Sequence, residues 1–481
     1  MDRIDAKTLA GLLGGWAADG PLYRALAAAL RSAIEADSLP PGARLPSERD
    51  LAAALVVSRS TVVAAYDELR AGGLVDSRRG SGTVVAALPA LRRPGADGRV
   101  PGGTATSIIQ SLVDERADLI TLNSAGAPAS EWLADAVAAV AREDLPALTA
   151  DAGYQPRGLP ALRSALADCY TSDGLPTVPE QIVVTTGATQ AISLVAQVFL
   201  RRGSTVVVET PSWPGCLDAF RAAGADPIGV PLDDEGARID AFAAAMSRSP
   251  SLAFLMPTFH NPTGMLMSPA RRRRIASLAA EHGVPIMEDN SYDTLFGGRP
   301  APIAAEPDVE AITVGSLAKT VWPGLRLGWL RAPVEVAERV ARHKALVDLG
   351  SPLLDQAVAL RLLPRLPAIT EEHTTALHAR HDQLAGLLAD RLPSWRWRPP
   401  DGGTSLWVEL PGVDAAAFAQ LARRHGVEIV PGAAMDPDGT HDSYIRLPFT
   451  YPPPILDELV DRLATAWKAL RPNNSRHSTR D

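Results

Sequence analysis

Between Gln181 and Trp329 the chain repeats one arrangement. A short apolar run is followed by a turn of glycine, proline and polar residues, and then by a stretch long enough for a helix. The runs are residues 181–186, 205–208, 252–256, 284–287 and 311–314. Apolar runs of this length suit strands buried on both faces, and helix-length connections let each new strand lie parallel to its neighbour. The chain from about 119 to 472 is therefore expected to form a largely parallel sheet covered on both sides. Ligands of such sheets gather beyond the carboxyl ends of the strands, so the residues just after each run carry the functional information.

Those residues form a series. After the first run, Gly187-Ala-Thr-Gln190 reads as a turn before an apolar helix from Ala191 to Leu200, and the backbone amides of Ala188 and Thr189 make an anion site suited to phosphate. After the second, prolines frame Trp213, whose ring can lie face-on to a flat ligand. The third ends in Pro257-Thr-Phe-His-Asn-Pro-Thr-Gly264 and offers the amide of Asn261, and the fourth offers the carboxylate of Asp289 and the phenol of Tyr292. The fifth leads into Gly315-Ser-Leu-Ala-Lys-Thr-Val-Trp-Pro-Gly-Leu-Arg326, where Ser316, Lys319 and Arg326 are spaced as though to address one anion. The chain has only four lysines, Lys7, Lys319, Lys344 and Lys468, among dozens of arginines, so a lysine here suggests a need for an amine that can deprotonate. Further on, Ser443-Tyr-Ile-Arg-Leu-Pro448 places Arg446 on a strand, where its planar fork can take a carboxylate.

Taken singly, each has an ordinary explanation: a solvated loop lysine, a core tryptophan, a surface arginine. Taken in order they fit pyridoxal 5'-phosphate (PLP). Lys319 would form the Schiff base and, once displaced by an amino acid, move a proton. Asp289 would keep the pyridine nitrogen protonated, Asn261 and Tyr292 would bond the phenolic oxygen, and Gly187, Ala188, Thr189, Ser316 and Arg326 would surround the phosphate. Arg446 would hold an α-carboxylate. These motifs resemble the aspartate aminotransferase superfamily, fold type I, over about 119 to 472. The resemblance implies a large domain and a smaller C-terminal α/β subdomain. It also implies that Tyr154, in Tyr-Gln-Pro-Arg-Gly158, reaches the phosphate of a neighbouring subunit. Trp213 stands where that superfamily often has tyrosine.

The first 86 residues read differently. Leu22, Leu26, Ala29, Leu30, Ala33 and Ile34 give an amphipathic helix over Pro21 to Asp37. Ser47 caps a helix ending near Leu55, with Asp50 where a capping box usually has Glu. Val56-Val57 turn, and Ser58 caps a further helix that begins Arg59-Ser60-Thr61 and can lay its amino end in a major groove. Leu74-Val75 and Thr83-Val85 then flank Arg78-Arg-Gly80-Ser-Gly82 as a wing. Together these motifs resemble the GntR-type winged helix-turn-helix, an α+β DNA-binding domain. The resemblance implies DNA contacts by Arg49, Arg59 and Thr61, with the wing near Gly80; Ser58, Ser60 and Arg78 are further candidates. Val63 stands where that family often has a polar residue.

Residues 87–118, with Pro89, Arg92-Arg-Pro-Gly95 and Pro101-Gly-Gly103, read as a linker, and 473–481 as a disordered tail. The net charge of −8 falls on the body, because residues 1–90 hold ten basic and ten acidic side chains. Cys169 and Cys216 are too few for a disulfide framework or a cysteine metal site, and no metal is expected. With no transmembrane run and no signal-peptide pattern, a cytoplasmic protein is expected. The combined architecture resembles the MocR family of bacterial regulators. It implies operator DNA, PLP and an amino-acid, amine or PLP effector as partners, and a homodimer in which each head docks on its partner's body. Two functions remain open: a regulator that senses ligands through its aminotransferase-like domain, and a working aminotransferase with an accessory DNA-binding domain.

Overall fold

The structure is a computed structural model that describes residues 4–17, 21–35, 38–40, 42–71, 74–78, 82–86, 119–126, 128–292 and 300–470. The expected linker, Gly80 of the wing tip and the C-terminal tail fall outside these residues, and so does the side chain of Arg78.

In the head, α1 (Ala6–Leu13), α2 (Leu22–Glu35), α3 (Glu48–Leu55) and α4 (Arg59–Ala71) pack around Leu26, Leu30, Leu51, Leu55, Val62 and Leu69. The helix α1 was not anticipated. Its start is set by Asp5, whose carboxylate accepts from the amides of Lys7 and Thr8. Ser47 accepts from Asp50 N at 3.2 Å to start α3, and left-handed Val56 ends it. The phenol of Tyr66, buried on α4, donates to Pro46 O at 3.0 Å and ties α4 to the segment before α3. The strands β1 (Val75–Arg78) and β2 (Gly82–Val85) pair antiparallel as the wing, so Arg78 lies in a strand rather than in the turn.

The body holds a sheet of eight strands in the order β4 (Ile182–Thr185), β11 (Gly328–Arg331), β10 (Ala311–Ser316), β9 (Ile286–Asp289), β8 (Leu252–Leu255), β5 (Thr205–Thr210), β6 (Asp226–Asp233) and β7 (Gly236–Ala237). From β10 to β6 every pairing is parallel, while β11 runs antiparallel to both its neighbours. Helices cover both faces. Val208, Phe254 and Ile312 pack to one side, against Leu194 and Phe220, while Val207, Leu255 and Ile286 pack to the other, against Phe242 and Ile275. Because β5, β8, β9 and β10 are parallel, their carboxyl ends share one rim.

A second sheet, ordered β12 (Arg396–Trp397), β13 (Ser405–Glu409), β16 (Tyr444–Pro448), β15 (Val430–Pro431), is antiparallel and forms the smaller unit with the helices Ala415–Arg424 and Pro453–Leu470. The first strand after the linker, β3 (Ile120–Thr121), pairs with β14 (Val427–Glu428) of this unit.

The head lies against the helix Ala415–Arg424 of its own chain. Arg424 donates to Leu55 O at 2.8 Å and Val56 O at 2.7 Å, the carbonyls left open where α3 ends at the turn into α4. Lys7 pairs with Asp414 at 2.6 Å, and Gln420 donates to Gly14 O at 3.2 Å. The family resemblance implies that each head docks on a partner's body. Within one chain the head already contacts this helix; docking across a dimer involves a second copy.

Candidate functional site

The rim of the large sheet gathers the strand-end residues. Helix Ala188–Phe199 begins directly after Gly187, three residues earlier than expected, so Ala188 and Thr189 form its first turn. Two contacts set that start: the Thr185 hydroxyl donates to Gly187 O at 3.0 Å, and Thr186 N donates to the Gln190 side chain at 2.9 Å. Gly187 has φ 113°, and a Cβ there would meet Arg326 Nη2 at 3.1 Å. A Cβ on Gly328 would lie 2.7 Å from the Gly187 backbone. The guanidinium of Arg326 therefore stands beside the helix amino end, and both glycines keep that concavity open. The Ser316 hydroxyl, at the end of β10, is engaged within its own loop, donating to Leu327 O at 3.2 Å and accepting from Ala318 N at 3.1 Å.

Lys319 Nζ donates to Ala125 O at 3.0 Å and lies 5.4 Å from the centre of the Tyr292 ring. The Tyr292 phenol meets Thr404 Oγ1 at 3.1 Å. One oxygen of Asp289 accepts both from Ser291 N and from the Ser291 hydroxyl, and no bond engages the other oxygen among the described residues. Burial pushes the Asp289 carboxyl above its ordinary value, while these two bonds and the nearby Lys319 charge oppose that shift. A positive partner at the free oxygen would favour the ionised form. Trp213 stands before helix Pro214–Ala222, and a Cβ on Gly215 would lie 2.3 Å from its ring, so that glycine lets the indole lie across the first turn.

Arg446 is buried, 3% exposed, on β16. It donates to Leu122 O at 2.9 Å, to Asn123 O at 2.8 Å and, at 3.5 Å, to Asn261 Oδ1. Its Nε is buried without a partner, and burial pulls the guanidinium below its ordinary value. A buried cation with an unused donor fits an anionic ligand group. Tyr154 does not join this group and stands 71% exposed. On the head, Arg49, Ser58, Arg59 and Ser60 are exposed and Thr61 is half-buried. Ser58 Oγ accepts from Thr61 N at 3.1 Å and meets the hydroxyls of Ser60 and Thr61, and Arg59 lies 3.8 Å from Glu48.

Several supporting residues were not foreseen. Ser291 had a local signal, since a serine two residues after an aspartate is a turn pattern. Thr404, Ala125, Leu122 and Asn123 had none, because they arrive from distant parts of the chain. The same holds for the support under Gln190, which donates to Asp348 at 2.7 Å, while buried Lys344 pairs with that carboxylate at 2.5 Å.

Behind Asn261 lies a buried pair, Glu209 and His260, 3.6 Å apart. Burial pushes Glu209 up to about 7 and His260 down to about 3, so in weak acid both are neutral. Because the folded Glu209 pKa is raised, its stabilising contribution is present below the ordinary carboxylate value and is lost as pH rises through about 7. Glu209→Gln is expected to remove a fall in stability of about 3 kcal/mol that the parent protein shows between pH 5 and pH 8. Urea titrations at the two pH values check this, and an unchanged pH slope in the variant refutes it.

Two known families cover most of the chain. Residues 118–463 match the family described as aminotransferase class I and II, and residues 22–85 match the bacterial regulatory proteins of the gntR family. The chain is 32% identical to an uncharacterized HTH-type transcriptional regulator, YisV, of Bacillus subtilis, across 90% of this chain and 93% of that protein. It is 31% identical to the probable rhizopine catabolism regulatory protein MocR of Rhizobium meliloti, across 76% of this chain and 78% of that one. The chain belongs to the MocR family. Like its members, it joins a gntR-type DNA-binding domain to a fold type I aminotransferase domain. Among solved structures, LysN, the α-aminoadipate aminotransferase of Thermus thermophilus, aligns with a TM-score of 0.68 at 30% identity, covering 78% of this chain and 96% of that one. That enzyme was solved with N-(5'-phosphopyridoxyl)-L-leucine. PLP is the cofactor that such a domain implies. The fit rests on the amine of Lys319, the free oxygen of Asp289, the open helix end at Gly187 and the unused Nε of Arg446.

Proposed function

We propose that this MocR-family protein is a PLP-dependent transcription regulator whose head, residues 1–86, binds operator DNA and whose body, residues 119–472, senses PLP or an amino-acid or amine effector. One observation carries the reading. Lys319 and Arg446, the amine and the carboxylate fork, both donate to carbonyls of residues 122–125, in the first described segment after the linker to the head. A ligand that occupies either side chain competes for those donors and so acts on the segment that leads to the head. Lys319 would hold the cofactor covalently, Asp289 its ring nitrogen, Asn261 and Tyr292 its phenolic oxygen, and Trp213 its face. Gly187, Ala188, Thr189, Ser316 and Arg326 would hold its phosphate. The test is operator binding measured with and without PLP and amino acids, alongside turnover with an amino donor and a keto acid. Rapid turnover with no ligand effect on DNA binding would favour the aminotransferase reading, which the assembled Lys319, Asp289 and Arg446 support.

We place the protein in the cytoplasm as a homodimer. Leu346, Val347, Leu349 and Leu354 are all more than half exposed, and a Cβ on Gly350 would lie 2.8 Å from Gln155 O, which sets this patch beside Tyr154. A second copy covering the patch would bring Tyr154 to its partner's phosphate.

On the head, Arg59, Arg49, Ser58, Ser60 and Thr61 would face the groove, and Arg78 and Gly80 the flanking backbone. Arg59→Ala is expected to weaken operator binding by about 1 to 3 kcal/mol if Arg59 pairs a base through both nitrogens. The affinity of the parent protein should fall steeply with salt. Fluorescence anisotropy with operator and unrelated duplexes checks both, and an unchanged affinity takes Arg59 off the reading surface.

A further inference from the structure

A cavity of about 480 Å³ lies at the seam between the two sheets of the body, and none of Lys319, Asp289, Asn261 or Arg446 lines it. Its volume is that of a small-molecule site. One wall comes from the ends of β5 and β6 and the loop after β8, the other from β12, β13 and β16.

The second wall has an ordered chemistry. Arg396, Glu409 and Tyr444 are register partners across three neighbouring strands, so they emerge in one row on one face. Trp407, two residues before Glu409, shares that face. Trp407 and Tyr444 are stacked, 5.2 Å between centroids at 11°, and His441 stands edge-on to Tyr444 at 5.6 Å. His441 Nδ1 is held by Asp436 at 2.6 Å, which fixes the ring. Most charged groups around the cavity are already engaged. Asp233 pairs with Arg271 at 3.0 Å, Asp234 pairs with Arg398 at 2.9 Å, and Asp401 accepts from Leu266 N at 2.9 Å. Glu409 differs: it is half-buried and has no hydrogen bond or ion pair from its side chain among the described residues. Arg396, its neighbour in the row, is exposed at the rim and forms no ion pair with it.

We propose that this cavity is a second small-molecule site, for an organic cation. Its ammonium group is set against the Glu409 carboxylate, and its apolar or aromatic body lies along Trp407 and Tyr444. A carboxylate without a protein cation beside stacked aromatic rings is the combination that recognises such a group. The site is also placed to influence the other one. Its lining residues Pro211, Thr263 and Tyr444 each stand two positions from Trp213, Asn261 and Arg446 respectively. Because its walls belong to both sheets, an occupant fixes the spacing that the Arg446 to Asn261 contact also spans.

The test uses benzyltrimethylammonium, which has no N–H and so cannot be captured through a Schiff base at the cofactor site. Titration calorimetry on the full-length, PLP-loaded protein is expected to show one site per chain with Kd of about 1 mM or tighter. Benzyl alcohol, the uncharged counterpart, should bind at least about tenfold more weakly, and so should the cation to Glu409→Gln. The visible cofactor absorbance of that variant should be unchanged. Arg396→Glu, at an exposed position, should tighten binding about threefold by adding negative charge beside Glu409, and it gives a reading even if Glu409→Gln fails to fold. The proposal is overturned by no saturable binding up to about 10 mM. It is equally overturned by equal binding of cation and alcohol, or by an Arg396→Glu variant that binds the cation no better than the parent.

Discussion

Lys319→Ala is expected to abolish the visible absorbance of the PLP-loaded protein while leaving its fold and its melting behaviour nearly intact. Lys319 is half-buried, and the only hydrogen bond of its side chain among the described residues is the donation to Ala125 O. Losing one such bond costs on the order of 1 kcal/mol, which is small against the cores of the body. On the proposed assignment covalent attachment of the cofactor depends on this amine, because Lys344, the nearest alternative in sequence, is buried and paired to Asp348. Non-covalent binding should survive, since the phosphate ligands and Asp289 are untouched, but with a much higher Kd. Spectra after dialysis, with borohydride reduction and mass analysis of the peptides, check the expectation. A reduced cofactor adduct on any residue of the variant would mean that Lys319 is not the attachment point.

How much of this was readable from the chain differs by part. The parallel sheet was legible because apolar runs buried on both faces leave little else for the intervening helices to do. The strand-end residues were legible because chain direction alone brings them to one rim. Helix Ala188–Phe199 begins three residues before the start that its sequence suggests, because a Gly-Ala-Thr sequence reads as turn chemistry. The Thr185 and Gln190 side chains that let the helix begin at Ala188 act only in the folded chain. The helix α1 is not legible in the sequence because its eight residues carry too little periodicity to stand out. The surroundings of Arg446 were not legible at all. Two of its partners are backbone carbonyls more than three hundred residues away, and a carbonyl has no signature in a sequence.

The docking of the head was equally hidden, and it bears on how a signal could travel. Arg424 reaches the carbonyls at the turn between α3 and α4, so the smaller unit of the body grips the head at the joint of the element proposed to read DNA. Each charge-assisted bond of this kind contributes about 1.5 to 3 kcal/mol. The grip leaves Arg49, Arg59 and Ser60 exposed, so a docked head can still present the proposed reading face. Movement of the smaller unit would therefore reorient the reading face without unfolding anything.

Arg446→Ala is expected to abolish the effect of any carboxylate-bearing effector on operator binding while leaving PLP bound. A ligand shifts a conformational balance only by the difference in its affinity for the two states. Here that difference has a structural source. An effector carboxylate that takes the unused Nε and the adjacent Nη2 of Arg446 together draws Nη2 from Leu122 O and Asn123 O, and those carbonyls belong to the segment between the linker and Lys319. In the parent protein the coupling should be roughly 1 to 3 kcal/mol, and operator DNA should change effector affinity by the same factor. In the variant the carbonyls have no such donor to lose, so operator affinity should no longer respond to the effector, whatever its baseline. PLP should remain, because Lys319, Asp289 and the phosphate ligands do not depend on Arg446. Operator titrations at fixed PLP, with and without each candidate amino acid, measure the coupling. If Arg446→Ala keeps the parent's response to an amino acid, the carboxylate is read elsewhere and the link through residues 122–125 does not carry the signal.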